Sequence, residues 1–229
     1  MAPDIVPDLV IGLAALPSRG KGTTAKIIQI LLPNQTAIAS SGMILRSTAR
    51  RLNLPDPDSR KTCQDLYMDL ASGLGNECLH GGLKKYWEES GKRIWVFDGV
   101  LMPWDVKFVK SFPRSALFYI ECGMQTAFER ARQRSDATAK TDEKEMAWEE
   151  FKKMHEHETA KHVASIKSGE GVILLDNHGP PKKLCQQIVR AFEDDLCWMT
   201  PQEIDARRHN LKSYISSIHA PEDHGRARG

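Results

Sequence analysis

The chain has 229 residues, 41% hydrophobic and 27% charged, a folded globular composition that excludes a mainly disordered chain. Lys and Arg total 32 against 30 Asp and Glu, for a formal charge of +2, so no dominant electrostatic partner such as duplex DNA is implied. No apolar run is long enough to cross a bilayer, and the start, Met1-Ala-Pro-Asp, lacks a basic leader region. The expectation is a cytoplasmic protein with neither nucleic acid nor membrane as partner.

Five short apolar runs read as strands: Leu9–Ala14, Thr36–Ala39, Ile94–Phe97, Ala116–Ile120 and Val172–Leu175. None alternates strictly between polar and apolar, which predicts strands covered on both faces of a parallel sheet. Helical spacing lies between them, over Lys21–Leu32, Met43–Leu52, Thr62–Tyr86 (interrupted at Gly73, Gly75 and Gly81-Gly82), Pro103–Lys110, Met124–Arg134, Glu145–Lys167 and Pro181–Asp195. This alternation predicts a doubly wound α/β fold. Beyond Met199, Thr200-Pro-Gln-Glu203 has the form of a capping box and starts a further helix to about Ser216, followed by a tail. The five cysteines are odd in number and lack C-x-x-C spacing, so they read as buried or half-buried small hydrophobes in a reducing compartment.

Candidate chemistry begins at Val10–Thr24, where a strand enters a tight loop, Ala15-Leu-Pro17-Ser18-Arg19-Gly20, and a helix leaves it with Lys21-Gly22-Thr23-Thr24. Loop N–H groups and the positive helix end can face a polyphosphate; Lys21 reaches its outer oxygens and a threonine hydroxyl holds magnesium. The segment resembles the Walker A loop of adenylate kinase and its relatives, G-x-P-G-x-G-K-G-T. Pro17, Gly20, Lys21, Gly22 and Thr23 match, while Ala15 and Ser18 replace glycines. Both replacements are expected to place a Cβ where the loop needs a positive φ.

The resemblance to nucleoside monophosphate kinases covers roughly Leu9–Phe192. Ser40-Ser41-Gly42-Met43-Ile44-Leu45-Arg46 looks like the family's S-T-G-D-x-L-R element, with Met43 in place of the acid. It implies acceptor-phosphate binding by Arg46 and Ser41, with Arg60 a weaker candidate; Ser41 as a plain helix cap is the alternative. Phe97-Asp98-Gly99 ends the third strand, where α/β sheets bind ligands, and Asp98 is placed to hold magnesium through water. The arginine of the related D-G-x-R segment is replaced by Leu101. Arg130 and Arg134 share a helix face, and the resemblance puts them at the root of a lid, about 134–146, that clamps the transferring group. Asn177, in Asp176-Asn-His-Gly179, stands where the family contacts the purine of ATP. The implied molecule is a P-loop three-layer α/β/α domain over 1–199, with acceptor-site helices at about 41–90, and a C-terminal helix and tail over 200–229. The implied activity is magnesium-dependent phosphoryl transfer from ATP to a small phosphorylated acceptor, with homodimerisation through the last helix a further possibility. Two other readings stay open, a nucleotide-binding pseudoenzyme and a dephospho-coenzyme A kinase-like enzyme. The histidines at 155, 157 and 162 with Glu158 lack zincin spacing and read as a solvated helix face.

Overall fold

The computed structural model describes residues 6–75, 77–133, 147–156 and 158–219. Its strands are β1 Leu9–Ala14, β2 Thr36–Ala39, β3 Ile94–Asp98, β4 Ser115–Glu121 and β5 Val172–Asp176, each within one residue of the expected ends. They form one sheet in the order β2-β3-β1-β4-β5, and every pair is parallel. All six residues of the central β1 are buried. The period of two along a strand divides them between two layers. Leu9, Ile11 and Leu13 join Ile27, Ile28 and Leu31 of helix α1 (Lys21–Leu31) and Leu184 and Ile188 of α9 (Pro181–Arg190). Val10 and Ala14 face Leu83 and Trp87 of α4 (Cys78–Ser90) and Val109 of α5 (Pro103–Lys110). Gly12 lies on this second face, where a Cβ would come within 3.0 Å of Leu117, Val100 and Val109. A side chain there would overpack the layer. The result is an α/β/α sandwich whose carboxyl edge carries the loops that follow β1, β3 and β5.

The helical stretch between β2 and β3 differs from expectation in one respect. The apolar pattern over 62–86 is two helices, α3 (Arg60–Leu74) and α4. The break falls at Gly75, which has φ +86 and serves as the C-cap of α3. Gly81 and Gly82 lie inside α4 instead, and a Cβ on Gly82 would sit 3.0 Å from Ile44 of α2 (Ser41–Arg51), so the glycine allows close helix packing. Leu45, Ala49, Cys63, Leu66 and Leu79 give α2–α4 a small core of their own.

On the other side, α6 (Met124–Gln133) packs on α7 (Trp148–Glu156) through Phe128, Phe151 and Trp148. The expected helix over 145–167 is described as two segments, α7 and α8 (Glu158–Ile166). β5 is an edge strand and is not covered on both faces: Leu174 is 51% exposed. α9 runs into a π-helical turn, Ala191–Asp195. The final helix, α10 (Pro201–His219), starts with the reciprocal bonds of a capping box, Thr200 N–H to Glu203 Oε2 at 2.8 Å and Glu203 N–H to Thr200 Oγ1 at 3.3 Å. It buries Ile204 and Leu211 in the same core as α1. Cys197 is exposed, against expectation, in a turn with φ +46; the other four cysteines are buried or half-buried. Among the described residues no helix is long and apolar enough to cross a membrane.

Candidate phosphate-binding site

Gly20 is the residue on which the loop between β1 and α1 turns. It is the N-cap of α1, left-handed at φ 102 and ψ 18, with no side-chain cap and no acidic residue in the helix's first turn. The N-cap thus supplies no side-chain acceptor to the first turn, and no carboxylate of that turn offsets the positive helix end. That is the arrangement an anion completes. Lys21 folds its ammonium back to the carbonyl of Ala15 at 3.0 Å, spanning the mouth of the loop. The hydroxyl of buried Thr24 donates to the Gly20 carbonyl at 3.1 Å, so the loop itself uses it, and half-buried Thr23 precedes it. Pro17, Ser18 and Arg19 are half-buried. The two replaced glycines part company here. Ser18 keeps the left-handed conformation, at φ +59, whereas fully buried Ala15 has no positive φ, so the expectation of strain at both positions is corrected to Ser18 alone.

A second tier supports the loop. Buried Asn177 donates from Nδ2 to the Arg19 carbonyl at 2.9 Å, and its own backbone N–H reaches the Glu121 carbonyl at 2.7 Å. Its side chain thus braces the loop between β1 and α1. Arg130, half-buried on α6, donates to the carbonyls of Asn177 (2.9 Å) and Gly179 (3.2 Å). Burial pushes up the Tyr119 phenol and the Cys122 thiol; the Arg19 charge works against it at Tyr119, and Arg130 and then Arg19 do so at Cys122. At His155 the Arg19 charge adds to burial, which is the main cause holding that imidazole below its usual range. His155 Nδ1–H donates to the Phe151 carbonyl at 2.9 Å. The sequence reading set His155 among solvated charges. Its clue was Phe151 one turn before it, an aromatic that marks the buried face.

Asp98 closes β3 beside β1, in register with Leu13, and its Oδ1 is buried. The chain turns at Gly99 (φ +140), and the Val100 N–H donates to the Leu13 carbonyl at 3.1 Å. Asp98 does not cap α5. That role falls to Asp105, whose Oδ2 accepts the N–H groups of Leu101 and Met102 at 3.0 Å each. Sequence reasoning missed Asp105 and its buried partner His80 because 25 residues separate them. On the acceptor side, the cap of α2 is Ser40, whose Oγ accepts the Met43 N–H at 3.1 Å. Ser41, expected as the alternative cap, is the helix's first residue. The Arg46 guanidinium folds back over Gly42, where a Cβ would lie 3.4 Å from Nη2. Arg60 opens α3, but its side chain lies outside the described residues, as do Arg134 and the expected lid at 134–146.

Thr23 and Asp98 offer one hydroxyl and one carboxylate at the carboxyl edge. Magnesium in phosphoryl-transfer sites takes few protein oxygens and completes its shell with phosphate and water, so this donor set fits the ion. Among the described residues no group of three or more His, Cys, Asp or Glu stands ready to hold a metal.

No protein-family model matches the chain. Among solved structures, the chain is similar to TT1252 from Thermus thermophilus, with a TM-score of 0.57 and 11% identity over 83% of this chain and 98% of that one. The likeness is one of fold, a five-stranded parallel sheet between layers of helices. A sugar kinase from Janibacter sp. HTCC2649, in an unliganded structure, is similar at a TM-score of 0.45 and 14% identity, over 86% of this chain and 98% of that one. In sequence, 80 residues are 32% identical to a Fragaria ananassa protein named as a UDP-glucose glucosyltransferase, and the chain spans 17% of that protein's length.

Proposed function

We propose that the chain is a phosphotransferase that moves the terminal phosphoryl group of ATP to a small phosphorylated acceptor, a nucleoside or deoxynucleoside monophosphate. The observation that carries this reading is the uncapped N-terminus of α1, with Gly20 left-handed and Lys21 lying across the loop mouth. An acceptor phosphate oxygen attacks the terminal phosphorus in line; the bond to the bridging oxygen breaks, and ADP leaves with that electron pair. Lys21 exchanges the Ala15 carbonyl for phosphoryl oxygens, and the loop N–H groups hold the inner phosphate. Thr23 and, through water, Asp98 would hold magnesium, which would neutralise phosphate charge when bound. Ser41 and Arg46 hold the acceptor phosphate, at the end of a strand two places from β1 in the sheet. Arg130 keeps the Asn177–Gly179 segment against the loop, and Arg134 closes over the transferring group. Protein of this kind contributes position and electrostatics more than covalent chemistry.

A second reading, a nucleotide-binding pseudoenzyme, draws support from Ser18, whose Cβ occupies a left-handed position of the loop. A coupled-enzyme screen of ATP against nucleoside and deoxynucleoside monophosphates and dephospho-coenzyme A separates the readings. Turnover with a monophosphate supports the first. Magnesium-dependent ATP binding with no turnover across the panel supports the second.

A further inference from the structure

His80 and Asp105 form a buried pair outside every motif discussed above. His80 Nε2 lies 2.9 Å from Asp105 Oδ1, and the two residues are 8% and 7% exposed. The imidazole stacks on Phe108, with centroids 4.2 Å apart and planes within 5°. The carboxylate's other oxygen holds the N–H groups of Leu101 and Met102. This one carboxylate therefore ties α4 to the turn that leaves Asp98. On its opposite side the turn is pinned to β1 through Val100. Asp98 thus stands at the root of a turn clamped between the central strand and α4.

We infer that His80 and Asp105 are a positioning pair for Asp98, setting the turn so that its carboxylate meets the hydrated magnesium of a bound nucleotide. The inference rests on the phosphotransferase reading for the metal's presence, and it makes α4 a support of the metal site through Asp105. A buried carboxylate that has lost its imidazole partner seeks a new donor, and the turn it organises then moves with it.

The test is calorimetric binding of ADP to the full chain, with and without magnesium. The quantity read is the ratio of the two affinities. His80→Phe keeps the ring stack but removes the donor, and should lower that ratio about tenfold, as loss of a metal's supporting partner typically does, with metal-free affinity within about twofold of wild type. His80→Gln, which can still donate to Asp105, should restore the ratio. Amide exchange gives a second measurement. The Leu101 and Met102 amides should exchange faster in His80→Phe while those of β1 stay protected. If the Phe variant does not fold, His80→Asn, too short to reach Asp105, is read the same way. An unchanged ratio overturns the inference, and so does an equal loss with and without magnesium, which marks a merely structural pair. Lys21→Ala run alongside reports on the phosphate site itself; undiminished ADP affinity there overturns the phosphotransferase reading, whichever way His80 behaves.

Discussion

The side-chain amide of Asn177 reaches across 158 residues of sequence to the carbonyl of Arg19, 2.9 Å away. The bond joins the turn after β5 to the phosphate loop, and Gly20 makes room for it: a Cβ on Gly20 would sit 2.2 Å from Asn177 Nδ2. Gly20→Ala is therefore expected to combine a left-handed penalty of about 1–2 kcal/mol with overpacking of similar size. Asn177→Ala removes one bond at a buried position and is expected to cost about 1–2 kcal/mol. Urea unfolding measures both. In Gly20→Ala, adding Asn177→Ala should recover stability, because the second change removes the atom the first collides with; additive losses would show that the two residues do not meet.

Lys21 gives the most direct test of the site. Its bond to the Ala15 carbonyl is only part-buried, so Lys21→Ala should cost the fold little. Loss of charged bonds to phosphate, worth about 1.5–3 kcal/mol, should weaken ATP and ADP binding by about tenfold or more. Equal affinities in wild type and variant, read by calorimetry, would remove the phosphate-loop assignment.

The replaced glycines should respond oppositely to restoration. Ser18→Gly relieves a left-handed conformation, worth about 1–2 kcal/mol, while loosening the unfolded chain by about 0.4–1 kcal/mol, so stability should hold or rise. Ala15→Gly gains no such relief, since Ala15 is fully buried without a positive φ. It loses a buried methyl and should destabilise by about 1 kcal/mol. Thermal melts of the two single variants decide this.

Arg130 is expected to act on binding as well as on rate. Its two carbonyl bonds hold the Asn177–Gly179 segment, and Asn177 holds the phosphate loop. Arg130→Ala should weaken ADP binding and lower turnover together. Arg130→Lys should rescue only in part, because an ammonium lacks the planar fork that spans both carbonyls. A variant with full ADP affinity and reduced kcat would return Arg130 to a purely catalytic role.

The strands and the strand-to-helix turn at Gly20 were legible in the residues because both rest on local rules. Two-sided burial makes β1 apolar along its length, and a glycine before Lys21 marks a strand-to-helix turn. Three features escaped that logic. The continuity of α4 through Gly81-Gly82, where the sequence marks a break as readily as at Gly75, goes with Gly82 packing against Ile44, a contact no local pattern encodes. The cap at Ser40, one residue before the expected one, depends on where β2 stops. The pairing of His80 with Asp105 depends on two elements meeting across the acceptor side, and a lone histidine in a helix gives no sign of its partner.

His155 makes stability depend on pH in a defined direction. Burial is the main cause that lowers its pKa from the ordinary 6.5, and the Arg19 charge adds to it against the bond to the Phe151 carbonyl. The folded protein therefore holds this imidazole neutral at pH values where the unfolded chain has already taken up a proton. A state that binds more protons gains as pH falls, so the unfolded state gains below about pH 6.5. The contribution is fully present above that value and is lost progressively down to the lower folded pKa. His155→Gln can keep a donor toward the Phe151 carbonyl but cannot titrate. Urea midpoints of wild type and variant should accordingly differ by an amount that changes between pH 7.5 and 5.5, the wild type losing more stability over that interval. Parallel pH profiles for the two proteins would show that His155 titrates as it does in the unfolded chain, and that Arg19 and burial do not act on it.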